Sequence, residues 1–159
     1  MAGNLILSGV LGAVVVAAAL AGASAKSPGG DVVKITASTS AQDVFNKQCG
    51  VCHMAYPPVF LPARSWKAIT GDLAHHFGED ASLDKATTKL IADYLMANAA
   101  DRAPGVPSGV LRGIGPDDVP LRITDTPFWN SVHGNIPAAV LARPEIKTKS
   151  NCLGCHSGN

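Results

Sequence analysis

Hydrophobic and polar positions divide the chain into stretches of different character. From Leu5 to Ala21 there is no charge and most residues are Ala, Val or Leu; the run closes on Ala23-Ser24-Ala25, with Lys26 next. A small-x-small ending suits a signal peptidase, which predicts a leader over residues 1–25, cut after Ala25, and export of the remainder of the chain. Two features depart from the usual leader. No Lys or Arg precedes the run, and its length is nearly that of a bilayer span, so an uncleaved N-terminal anchor is the alternative. After Lys26 no apolar stretch approaches the roughly 18 residues that a further span would need.

Ser27 to Thr39 is rich in Ser, Gly and Thr and predicts a loose arm. Ser40 is then suited to cap a helix, with Asp43 three residues on completing a capping box. That helix, Ala41 to about Cys49, places Val44 and Phe45 on one side. Pro57, Pro58 and Pro62 predict an extended loop. A second helix is expected from Ser65 to Phe77, stopped by Gly78. A third is expected from Leu83 to about Asn98, where Leu90, Ile91, Tyr94 and Leu95 share one face. Ala103 to Pro120 then holds four prolines and four glycines, which excludes a helix of ordinary length. Two short helices, Pro127 to His133 and Ala138 to Ala142, complete a mainly α reading.

Composition narrows the class. The chain has 159 residues, and removing the leader leaves roughly 134, enough for one or two small domains. With 13 basic and 12 acidic residues it has no field to attract nucleic acid and no acidic tail. Residues 26–100 carry 7 basic and 7 acidic side chains and residues 101–159 carry 6 and 5, so neither part is a strong docking face by charge alone. Aromatic residues make up only 5%, thin material for a core, so something other than side chains should supply apolar bulk.

The cysteines say what supplies it. All four lie in two motifs, Cys49-Gly50-Val51-Cys52-His53 and Cys152-Leu153-Gly154-Cys155-His156. C-x-x-C-H reads as c-type haem attachment: two thiols add to the porphyrin vinyl groups and the next histidine lies under the iron. Two zinc-binding C-x-x-C pairs, or two disulfides, would use the same cysteines. Neither requires a histidine after each second cysteine, and two haems are therefore expected, held through Cys49, Cys52, Cys152 and Cys155.

The opposite iron ligands come by elimination. With His53 and His156 as proximal ligands, His75, His76 and His133 remain for two irons. Met54 adjoins His53 and cannot reach the far haem face, and Met96 falls about 240° from Leu90, off the apolar stripe of its helix. On a wheel with Trp66 at zero, His76 falls near 280°, beside the apolar face of Ile69, Leu73 and Phe77, while His75 falls near 180°, opposite it. His76 is therefore expected on the first haem, with His75 solvated or bonded to a propionate. His133 is expected on the second; the crossed assignment is the alternative. His53 to His76 and His133 to His156 both span 23 positions. Arg64 is a candidate partner for a haem propionate, or a surface charge. Trp66 and Trp129 read as packing residues rather than electron relays, and Arg143, Lys147 and Lys149 as a solvated face rather than a docking patch.

The run from Cys49 through Pro57-Pro58 to Leu61-Pro62-Ala63-Arg64-Ser65-Trp66, then His76-Phe77-Gly78, resembles the bacterial dihaem cytochrome c family. Ile91-Ala92-Asp93-Tyr94-Leu95, Thr126-Pro127-Phe128-Trp129 with His133, and the terminal motif are similar to that family too. The resemblance implies a periplasmic electron carrier with two bis-histidine haems. Two histidines on each iron leave no open site and lower the potential relative to Met/His ligation, so both haems are expected to be of low potential and the protein is expected not to be an enzyme. The resemblance also implies a part like a class I cytochrome c over 26–100, three helices around one haem, and a largely irregular segment over 101–159 wrapping the second. Its expected partners are a small high-spin monohaem cytochrome or a membrane b-type cytochrome. The membrane itself would be met only through the leader or a partner. The rival is a dihaem peroxidase or gas-binding protein with one labile ligand.

Overall fold

A computed structural model describes residues 40–157. The leader and the arm from Ser27 to Thr39 lie outside them. Helices account for the regular structure: α1 (Ala41–Cys49), α2 (Ala63–Gly71), α3 (Lys85–Ala97), α4 (Pro127–His133) and α5 (Ala138–Leu141), with single 3₁₀ turns at Pro58–Phe60, Leu73–His75, Ile123–Asp125 and Cys152–Gly154. Among the described residues the only strand-like pairing is one isolated bridge between His76 and Glu79. None of the described helices is long and apolar enough to cross a membrane.

Most helix starts are written locally. The Ser40 hydroxyl accepts from the Asp43 amide at 3.1 Å while the Ser40 amide donates to the Asp43 carboxylate at 3.3 Å, the reciprocal box that begins α1. Asp84 accepts from the amides of Ala86 and Thr87, both at 3.0 Å, and begins α3. Thr126 accepts from the Trp129 amide at 3.2 Å and, with Pro127 at the first position, begins α4.

α2 begins differently. Its cap position is Pro62, whose side chain offers nothing, and the free amide of Ala63 donates instead to the carboxylate of Asp101 at 2.8 Å. This distant acid also suits the positive end of the helix dipole. The remote cap lets α2 begin two residues before the expected Ser65. Its end corrects the sequence reading more heavily, because the helix stops at Gly71 rather than Phe77. Gly71 is a poor helix former, and the Asp72 carboxylate bonds the His75 ring at 2.8 Å, which favours a turn. A 3₁₀ turn follows, then Phe77 and Gly78 at φ of +54° and +103°. Gly78 takes that conformation freely, whereas Phe77 bears a steric cost for it. The proline loop is likewise less extended than expected, since Pro58 opens a 3₁₀ turn.

Val44 and Phe45 of α1, Trp66 of α2 and Ile91 and Leu95 of α3 form the core with Leu61, Ala63 and Ala99. The Trp66 indole donates to the Pro58 carbonyl at 2.8 Å, so the only polar atom of that ring is satisfied in the interior. The segment after Asp101 has few buried side chains, chiefly Val110, Trp129 and Ile146. It is fastened to the three-helix core at separated points. Arg64 donates to the carbonyls of Asp118 and Gly115 at 2.5 and 2.6 Å, Phe60 stacks on Phe128 at 6.4 Å, and Tyr56 donates to the Ser150 carbonyl at 2.6 Å.

Candidate haem sites

α1 ends in the first motif, so its C-terminal turn presents Cys49 against the core and leaves Cys52 and His53 outside. The His53 Nδ1 lies 2.7 Å from the Met54 carbonyl oxygen. A carbonyl can only accept, so Nδ1 carries the proton and Nε2 keeps a free lone pair. Facing it is His76, 6.2 Å between ring centres with the planes 21° apart. Burial, the facing His53 and Arg122 hold the His76 imidazole below its usual pKa, in the neutral form that can ligate a metal.

His75 points away, its side chain 82% exposed and bonded to Asp72, whose hydrogen bond and charge raise its pKa. The doublet is thus divided, His76 inward and His75 outward, though not by the helical wheel. The two residues lie beyond the end of α2, and the 3₁₀ turn with its bond to Asp72 orients them.

The second site begins on α4. His133 is its last residue; its Nδ1 lies 3.0 Å from the Trp129 carbonyl and its ring stacks on the Trp129 indole at 4.4 Å. Here too the carbonyl holds the proton on Nδ1 and Nε2 stays free. His156, the last residue of the second motif, faces it at 6.2 Å between ring centres, with the planes 83° apart. The motif is seated by Asn151, whose amide donates to the carbonyls of Glu145 and Ile146 at 2.8 and 3.1 Å while its oxygen accepts from the Gly154 amide at 3.2 Å. Between the two histidines and the cysteines lies a cavity of about 290 Å³, walled by Phe60, Ile123, Phe128, Trp129, Ile136 and Ile146, with Cys152 and Cys155 at its edge. A wider groove of about 530 Å³ joins Cys52 and His53 to Ser150 and Cys152.

The residues present fit a haem at each place. A metal–imidazole bond is about 2 Å long, and each ring centre lies about 1 Å further out, so two imidazoles on one iron need centres about 6 Å apart. Both pairs meet that spacing. The second cavity wall is apolar and carries the two thiols beside the histidines. Burial pushes the Cys49 thiol up to about 11, and burial first of all raises Cys152 as well. Such sites disfavour a charged thiolate and suit a neutral thioether. None of the four cysteines is in a disulfide, and among the described residues no three His, Cys, Asp or Glu side chains gather as a lone zinc ion would need.

A profile of the dihaem cytochrome c family matches residues 45–159. The chain belongs to the dihaem cytochrome c family. It is 45% identical to a dihaem cytochrome c from Rhodobacter sphaeroides over 72% of this chain and 90% of that one, with a TM-score of 0.66. A second structure from that organism, of protein purified from it, gives 42%, 72%, 89% and 0.58. A dihaem cytochrome c from Shewanella baltica OS155 is 34% identical over 75% of this chain and 83% of its own, with a TM-score of 0.61. No curated protein matches the chain. Proteins of this family carry two covalently bound c-type haems, and the two cysteine pairs here provide for them. The chain is therefore a haem protein of electron transport, mainly helical as expected.

Other residues singled out in the sequence of this dihaem cytochrome lie away from the imidazole pairs or beside them in supporting places. The Arg64 guanidinium donates through Nε and Nη2 to two loop carbonyls, those of Asp118 and Gly115. Trp66 and Trp129 are both buried, one in the helical core and one in the second cavity wall. Met96 packs against the helical core and Met54 lines the second cavity. Arg143 and Lys147 are exposed, while the Lys149 ammonium sits 5.5 Å over the Trp129 ring. Two residues beside the first site went unread in the sequence. Arg122 lies over the Phe77 ring at 4.0 Å, and Tyr56 stacks on His53 at 4.7 Å. No one-dimensional signal marks either, because each meets its partner only through folding.

Proposed function

We propose that this dihaem cytochrome is a periplasmic electron carrier in which His53 and His76 hold one iron and His133 and His156 the other. The observation that carries the reading is the equal 6.2 Å separation of the two facing imidazole pairs. When bound, each haem supplies a one-electron iron couple. The chain's own residues set its character. With two of these imidazoles holding each iron, oxygen or peroxide would have to displace a ligand in order to bind. The Nδ1–H bonds of His53 and His133 to backbone carbonyls fix the tautomer, orient the rings and make the opposite nitrogens more basic. More basic nitrogen ligands favour the ferric state, and the absence of a methionine ligand does so further, so both potentials are low.

On this reading the part over 26–100 serves the first haem and that over 101–159 the second. Export is supported by the uncharged run Leu5–Ala21 and its Ala23-Ser24-Ala25 ending. The partners are a small high-spin monohaem cytochrome or a membrane b-type cytochrome, and the protein is a carrier rather than an enzyme. Visible spectra of the oxidised and dithionite-reduced protein, the latter with and without carbon monoxide, test the reading. Low-spin spectra unmoved by carbon monoxide are expected. A shift in about half the haem would mean an open iron, and gas binding or peroxide chemistry would replace electron carriage as the function.

A further inference from the structure

Tyr56 touches both haem sites. Its ring stacks on the imidazole of His53 with centres 4.7 Å apart and planes 20° apart. It also lines the second cavity, the one shared by His133 and His156. Its hydroxyl donates at 2.6 Å to the carbonyl of Ser150, two residues before the second motif and 94 positions away in the chain. A phenol is rigid, with two side-chain torsions, and here both its flat face and its far end are engaged. Few residues could do this: the ring supplies the stack and the oxygen supplies the tie.

We propose that Tyr56 is the positioning residue that holds the first proximal histidine and the second attachment loop at a fixed separation, and so sets the rate at which electrons pass between the two haems. The proposal rests on the bis-histidine reading above. Exchange moves one electron, oxidising one iron as it reduces the other, with no proton transferred. The phenol keeps its hydrogen in the bond to Ser150 throughout. Met54 lines the same cavity but makes no such bond, so the tie between the sites falls to Tyr56.

Two variants of the full holoprotein test this. Tyr56→Phe keeps the stack and removes only the bond to Ser150. Tyr56→Leu removes both. In each, the two potentials are measured by redox titration, and electron redistribution is followed by transient absorption after sub-stoichiometric photoreduction, compared at equal driving force. Because such rates fall steeply with small displacements, exchange should slow about threefold in Tyr56→Phe and about tenfold in Tyr56→Leu. Tyr56→Leu should also change the low-spin ferric signature of the first haem, since the His53 ring loses the surface that orients it, while Tyr56→Phe should leave that signature alone. Wild-type exchange in both variants would overturn the proposal. So would wild-type exchange in Tyr56→Phe alone, should Tyr56→Leu fail to take up two haems. Inertness to carbon monoxide, checked in the same samples, reports separately on the ligand reading, so the two ideas fail in different measurements.

Discussion

At the scale of single residues, the chemistry turns on which imidazole faces which. Replacing His76 or His133 by Ala should open one iron each, so that carbon monoxide shifts about half of the reduced haem absorbance while the other half stays closed. His75→Ala should leave carbon monoxide inert, because the His75 ring is directed to Asp72 and solvent. Ring orientation gives a second expectation. The first pair is nearly parallel at 21° and the second nearly perpendicular at 83°. Parallel rings leave the two π-type iron orbitals unequal, whereas perpendicular rings make them nearly equivalent. Electron paramagnetic resonance of the oxidised protein should therefore show two low-spin species, one rhombic and one strongly axial; two identical rhombic species would contradict the perpendicular pair.

Among the elements, the informative cases are those tied by partners far along the chain. Asp101→Ala should uncap α2 and cost about 1 kcal/mol of stability without altering the visible spectrum, since the Asp101 carboxylate is engaged by the Ala63 amide at the start of that helix. The second motif should be equally sensitive at Gly154. A Cβ there would stand 2.8 Å from the Glu145 carbonyl oxygen and 3.2 Å from the Ile146 Cα, both backbone atoms, so Gly154→Ala must displace the turn that carries Cys152 and Cys155. Reduced incorporation of the second haem is the expected result, read from haem-to-protein ratio. At α3, the Thr87 hydroxyl and nearby amides hold the Asp84 carboxyl below its usual range. A depressed carboxyl contributes stability that is present above its unfolded pKa of about 3.9 and lost as acid takes pH down through the lowered value. Stability curves below about pH 4 should fall less steeply in Asp84→Asn than in the parent protein.

For the molecule as a whole, the side-chain core is confined mainly to α1, α2 and α3, while the segment after Asp101 buries little of its own. The cavity wall of that segment faces an apolar space that no side chain fills. Replacing Cys152 and Cys155 by Ala should therefore leave residues after Asp101 without fixed packing, seen as lost near-ultraviolet circular dichroism from Trp129. The corresponding change at Cys49 and Cys52 should loosen the first site and the end of α1. Native-like packing of both variants without haem would show that the side chains suffice.

The boundary between what was legible in the chain and what was not tracks the range of the interactions. The attachment motifs, the capping box at Ser40 and the helix Pro127–His133 are decided within a few residues, so the sequence by itself determined them, and with them the haem class. The expected helix through Phe77 failed because its end depends on the turn that Asp72 forms with His75, a competition that apolar periodicity does not register. Asp101 capping α2, Arg64 holding the Gly115–Asp118 loop and Tyr56 reaching Ser150 were settled only by tertiary structure. So was the facing of His53 with His76 and of His133 with His156. An imidazole's chemistry is written in its residue type, but the direction in which it points is set by groups brought together across the fold.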